Sequence, residues 1–211
     1  TFFWAAGKNF DCVPTNSWTC VNSSQDFLPN NLFNFYLTSP FPKISNHLFK
    51  NIYGQDTIGP FIEYIDNNDM PKTPFFAYIH HNIPHRPFLV NSECGPANYY
   101  NKNFEGYKAS YQCALKTIEI FMEKINNEDP EAIVVFQGDH GLMETLNLKL
   151  AEKEKYLFAG NIFNAIKAPK SCFNKYGLPK TNLNTMRFAL NCAYGFKLPY
   201  KENIHFEHNI H

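Results

Sequence analysis

Asp139 and His140 stand together at the end of the apolar run Ala132-Ile-Val-Val-Phe-Gln-Gly-Asp-His-Gly141. A carboxylate beside an imidazole is a donor pair suited to a divalent metal ion. The flanking Gly138 and Gly141 let the backbone turn sharply and let a substrate approach. Asp and Gly are also ordinary turn residues after a strand, so the pair alone leaves both readings open. A second cluster lies in Thr73-Pro-Phe-Phe-Ala-Tyr-Ile-His-His-Asn-Ile-Pro-His-Arg-Pro-Phe88, where His80, His81 and His85 fall within six residues and Arg86 follows. Pro84 and Pro87 bracket His85 and Arg86, so these two side chains are presented at low entropic cost. Imidazole and guanidinium together suit a tetrahedral oxyanion such as phosphate or sulfate. His80 and His81 read as strand-end residues that pack or bond to backbone, and His85 as the residue that serves a site.

Residues of this kind need elements that hold them. Ala132–Phe136 carries no charge and is largely β-branched or aromatic, the pattern of a strand buried on both faces of a parallel sheet. Phe75–Ile79 repeats the pattern, and both strands are expected in one sheet. Their polar loops then share the crevice beyond the carboxyl ends, where open α/β sheets bind ligands, which puts His85 on the order of 10 Å from Asp139. Between the motifs, Asn91–Asn103 reads as a surface loop. A long amphipathic helix follows, with Tyr107, Tyr111, Ala114, Ile118, Phe121 and Ile125 toward the sheet. Shorter helices are expected within Leu32–Phe49 and over Gly59–Ile65. After Gly141 a polar stretch through Glu154 reads as a mobile loop or short helix over the site, a strand covers Asn161–Lys167, and a last helix opens at Thr181. That helix is expected to turn Leu183, Met186 and Leu190 inward and to stop at Gly195, with Arg187 solvated or paired with backbone.

The order of strand, Pro84-His85-Arg86-Pro87, long helix, strand and Gly138-Asp139-His140-Gly141 resembles the C-terminal half of a sulfatase-type domain of the alkaline phosphatase superfamily. The likeness is to extracytoplasmic sulfatases and phosphoethanolamine transferase-like proteins, and it covers about Leu32 to Tyr194. It implies a three-layer α/β/α sandwich around a mostly parallel sheet. It also implies Asp139 and His140 as metal ligands, His85 as a catalytic and substrate-contacting residue, and Arg86 as an anion clamp. The cofactor would be a divalent cation, calcium, zinc or manganese, and the substrate a sulfated or phosphorylated glycan or lipid. The family's first acidic metal ligand and its nucleophile have no counterpart here, since Cys12-Val-Pro-Thr lacks the Arg of a Cys-x-Pro-x-Arg motif. Residues 1–211 are therefore expected to be a partial domain without its N-terminal part, inactive alone, with residues 1–30 an irregular excursion and 31–211 the α/β core portion. The activity implied is transfer or hydrolysis of a sulfate or phosphate ester through a covalent enzyme intermediate. The alternative is an inactive relative that binds anionic glycans.

Composition narrows the classes further. Hydrophobic residues at 44% and charged residues at 18% exclude disorder. The formal net charge is zero, with Lys and Arg reading as scattered, so neither a nucleic-acid footprint nor a polybasic membrane patch is expected. Any signal or membrane anchor is expected upstream of Thr1. The six cysteines fall into sequence-local pairs, Cys12 with Cys20, Cys94 with Cys113 and Cys172 with Cys192, and the latter two pairs are expected to bridge. Disulfides agree with a periplasmic or extracellular protein.

Overall fold

The computed structural model describes residues 2–6, 18–22, 56–68, 74–86, 88–101, 104–142, 149 and 152–202. Two compact units arise, Thr1–Lys124 and Ile125–His211. Both mix helices with strands, as an α/β chain should. The expectations for Leu32–Phe49 and for Cys12 lie outside the described residues.

The first unit is built on a parallel three-stranded sheet. Strand β1 (Phe2–Ala6) is central, flanked by β2 (Trp18–Asn22) and β3 (Phe76–His80), with Ala6 opposite both Asn22 and His80. Strands β1 and β2 occupy the stretch expected to be an irregular excursion. Each is five residues of mostly aromatic, β-branched or small type, too short to show periodicity yet well suited to pairing. Helix α1 (Ile58–Asn67), expected over Gly59–Ile65, buries Ile58, Phe61 and Ile65 at helical spacing. Asp56 caps its start, its Oδ1 accepting the N–H groups of Ile58 and Gly59 at 3.0 and 3.1 Å.

Strands β4 (Phe88–Val90) and β5 (Pro96–Asn101) form an antiparallel hairpin where a surface loop was expected. Asn91 makes the turn: its Oδ1 accepts from the N–H groups of Glu93 and Gly95, a local bond that composition alone reads only as loop. The hairpin is held to the long helix α2 (Phe104–Glu128) by the Cys94–Cys113 disulfide and by Ser110 Oγ donating to Val90 O at 3.3 Å. Ile83, Val90, Cys113 and Ala114 form one buried cluster, and Phe88 meets Tyr107 edge-on at 5.8 Å. Phe61 on α1 meets Phe121 on α2 at 6.1 Å, and Lys124 pairs with Asp66. Of the expected inward face of α2, Ala114, Phe121 and Ile125 are buried, while Tyr107, Tyr111 and Ile118 are half-buried.

In the second unit, β6 (Val134–Gln137) pairs antiparallel with β7 (Asn164–Lys167), Val134 opposite Lys167 and Gln137 opposite Asn164. Among the described residues, the two motif-bearing strands therefore lie in different sheets, β3 in a parallel one and β6 in an antiparallel pair. Moreover, Val134–Phe136 is half-buried rather than covered on both faces. An apolar run reports burial tendency and says nothing about the partner or its direction, which is why this expectation failed. Lys167 Nζ donates to the carbonyls of Asp129, Pro130 and Ala132, gathering the chain that enters β6.

Helix α3 (Glu152–Gly160) precedes β7, and α4 (Lys170–Tyr176) follows it. Helix α5 (Asn182–Tyr194) ends as expected at Gly195, whose left-handed φ of 68° a glycine adopts without strain. The Cys172–Cys192 bridge and the stacked Phe173 and Phe188 rings, 4.9 Å apart, join α4 to α5. The inward face of α5 differs from expectation. Leu183 and Met186 are 54% and 49% exposed, and the buried residues are Asn184, Thr185, Phe188 and Asn191. Hydrogen bonding explains the reversal. Asn184 exchanges bonds with the N–H and carbonyl of Lys201, Asn191 does the same with Leu198, and Thr185 bonds Asn164, so these polar groups are buried with partners.

Candidate active site

The sequence Gly138-Asp139-His140-Gly141 leaves β6 as a loop fixed by its own backbone. Gly138 N–H donates to Phe163 O at 2.9 Å, and Gly141 N–H to Ala159 O at 2.7 Å. Gly141 has no room for a side chain, because a Cβ there would collide with the carbonyl oxygens of Phe158 and Asn161. The two residues between these anchors face water. The Asp139 carboxylate is 87% exposed, and its Oδ1 accepts the N–H of His140 at 2.9 Å. His140 Nδ1 lies 2.7 Å from Gly141 O. A carbonyl only accepts, so Nδ1 is the donor in this bond, and in the tautomer it selects the lone pair is on Nε2.

That Nε2 stands 3.6 Å from Asp139 Oδ2. Two donors about 2.0–2.1 Å from one tetrahedral cation would be separated by roughly 3.3 Å, so the pair fits as two ligands of a single ion. Among the described residues no group of three or more His, Cys, Asp or Glu side chains could hold a metal, so this pair would supply at most two of an ion's ligands.

His85 occupies an analogous loop after β3 in the first unit. The Ile83–Pro84 peptide is cis, and His85 N–H donates to Asn82 O at 2.6 Å. Buried Ile83 on one side and buried Phe88 on the other fasten this loop by side-chain packing. His85 itself is exposed, with Nδ1 at 2.6 Å from Arg86 O. The same logic assigns the proton to Nδ1 and the lone pair to Nε2. The half-buried Arg86 adjoins it.

His80 and His81 behave as strand-end residues. Thr57 Oγ1 donates to His80 O at 2.8 Å, and Thr57 N–H points to His81 Nδ1 at 3.4 Å, tying the start of α1 to the end of β3. Burial pushes the His81 pKa down to about 4; Asp56, 3.6 Å away, opposes that shift and His80 reinforces it. His81 is therefore neutral near pH 7, with Nε2 buried and lacking a hydrogen-bond partner among the described residues. The roles of Asp56 and Thr57 were missed in the sequence, although Asp-Thr before an apolar helical face is itself a helix-start signal.

A family model described as Sulfatase matches residues 3–167. The match takes in both histidine-bearing loops and begins within β1, well before the Leu32 at which the sequence resemblance was placed. No curated protein and no solved structure matches the chain.

Proposed function

The chain belongs to the sulfatase family, and from that premise we propose that it takes part in metal-dependent hydrolysis or transfer of a sulfate or phosphate ester. The observation that carries the proposal is the 3.6 Å spacing of Asp139 Oδ2 and His140 Nε2 on a loop pinned at both ends. These two residues would hold a divalent cation, calcium, zinc or manganese, which when bound neutralises charge on the ester oxygens. His85 has its Nδ1–H engaged with Arg86 O, so its Nε2 is the atom that takes or gives a proton at the leaving oxygen. Arg86 clamps the anionic group through paired N–H donors. The covalent step needs a nucleophile, and no Ser, Thr or Cys of Thr1–His211 stands in the family's motif. The enclosing fold is the three-layer α/β/α arrangement of the alkaline phosphatase superfamily.

The substrates are sulfated or phosphorylated glycans or lipids, met outside the cytoplasm. Disulfides at Cys94–Cys113 and Cys172–Cys192, and a further one at Cys20, support an oxidising compartment. No helix of the described residues is long and apolar enough to cross a membrane. Turnover of 4-nitrophenyl sulfate and 4-nitrophenyl phosphate by the protein from its complete reading frame tests the proposal. Release of nitrophenol that disappears in Asp139→Ala is the expected result, and turnover unchanged by that substitution would refute the assignment.

A further inference from the structure

Charge is not scattered along this chain. From Lys155 to Lys201 there is no Asp or Glu, against seven Lys and one Arg, although the whole chain sums to zero. The whole stretch lies in the second unit. Lys167 is occupied by backbone carbonyls, but Lys170, Lys175, Lys180, Lys197 and Lys201 are exposed, and among the described residues none of these five is in an ion pair. A run of exposed cations whose nearest acids in sequence are Glu154 and Glu202 at its two ends attracts a polyanion.

The surface is also ordered. The tail after Gly195 runs back along α5, held at Leu198 by Asn191 and at Lys201 by Asn184 through paired bonds of 2.8–3.0 Å. Tyr200 Oη donates to Gly177 O at 3.1 Å, fastening the tail to the end of α4, and the Cys172–Cys192 bridge fixes α4 against α5. Lys197 and Lys201 therefore project from a strap whose entropy is already spent. Beside them the Tyr194 and Phe196 rings stack at 5.5 Å while remaining 65% and 49% exposed. Flat, exposed aromatic rings accept the C–H faces of sugar rings, as cations accept their anionic substituents.

We propose that this strap, with the adjoining ends of α4 and α5, is a binding face for sulfated polysaccharide, separate from the Asp139–His140 pair in sequence. The choice of a sulfated glycan among polyanions rests on the sulfatase reading. Binding itself is read without turnover, so an absence of hydrolysis and an absence of binding are distinct results.

The test is binding of the full chain to dextran sulfate, with neutral dextran and phosphatidylserine vesicles as comparisons, across a series of salt concentrations. Dextran sulfate should bind and weaken with salt, and neutral dextran should not bind. The triple variant Lys175→Gln, Lys197→Gln, Lys201→Gln should weaken binding roughly a hundredfold, while Lys→Arg at the same three positions should restore it. Tyr194→Ala with Phe196→Ala should weaken it about tenfold with the salt dependence unchanged. Binding by the Gln variant equal to wild type, or vesicles bound as tightly as dextran sulfate, would overturn the proposal.

Discussion

The His85 loop and the Gly138–Gly141 loop present an imidazole in the same way but are built differently. In each, Nδ1 lies at hydrogen-bond distance from the carbonyl of the next residue, which leaves Nε2 as the ring nitrogen open to another partner. The His85 loop is fastened by side chains, Ile83 and Phe88, and its neighbouring hairpin is tied to α2 by a disulfide. The Gly138–Gly141 loop is fastened by main-chain hydrogen bonds at both ends and by the absence of a side chain at Gly141. A proton-transferring imidazole and a metal donor pair both need placement to within about half an ångström, and in the roles proposed for them the two loops would meet that demand by different means, side-chain packing in one and main-chain bonds in the other.

The largest effect that separates the loops is on catalysis. Asp139→Ala or His140→Ala should reduce ester hydrolysis to background by removing a cation ligand. His85→Ala should cost roughly 10²–10⁴-fold, the loss of one acid–base group, and leave cation binding intact. Equal losses from all three substitutions, with cation binding lost in His85→Ala as well, would erase the distinction.

Stability offers the next contrast. Gly141→Ala forces a methyl group against main-chain carbonyls and should cost about 3 kcal/mol in urea unfolding. Ile83→Ala should cost a similar amount, about 2–4 kcal/mol, through a cavity beside Val90, Cys113 and Ala114. The two should differ in what they spare. Gly141→Ala should impair cation binding, and Ile83→Ala should not.

A smaller effect comes from His81. Its pKa is lowered to about 4 in the fold, against an ordinary 6.5. The unfolded chain therefore takes up the proton first. The stabilisation is complete above about pH 6.5 and is lost as pH falls from there toward 4. Between pH 7 and 4.5 this amounts to roughly 2–3 kcal/mol, and His81→Gln should remove that part of the acid sensitivity measured by urea midpoints. An unchanged pH profile in the variant would assign the acid sensitivity to other groups.

What the sequence made legible was mainly local. The apolar spacing of α1 and α2, the stop at Gly195 and the two disulfides beginning at Cys94 and Cys172 all follow from neighbours within a few turns or one loop. What it hid depends on distant partners. The pairing of β6 with β7 cannot be read from Val134–Phe136, nor the hairpin from Asn91–Asn101, where the Asn91 side chain adds bonds to Glu93 and Gly95 beside the main-chain bonds Asn91 makes to Cys94 and Gly95. On α5 the apolar stripe of Leu183 and Met186 predicted the wrong face, because Asn184 and Asn191 were needed inside to hold the tail. For the candidate site, the residue types at Asp139, His140 and His85 were visible. The tautomers and the anchoring that make them usable were not.

The most direct test is the metal content of the protein from its complete reading frame, purified without chelator and compared with its Asp139→Ala variant by elemental analysis after exhaustive dialysis. The account predicts a divalent cation retained by the wild type and lost from the variant, with both equally folded by circular dichroism. A folded Asp139→Ala variant that keeps the cation would contradict it.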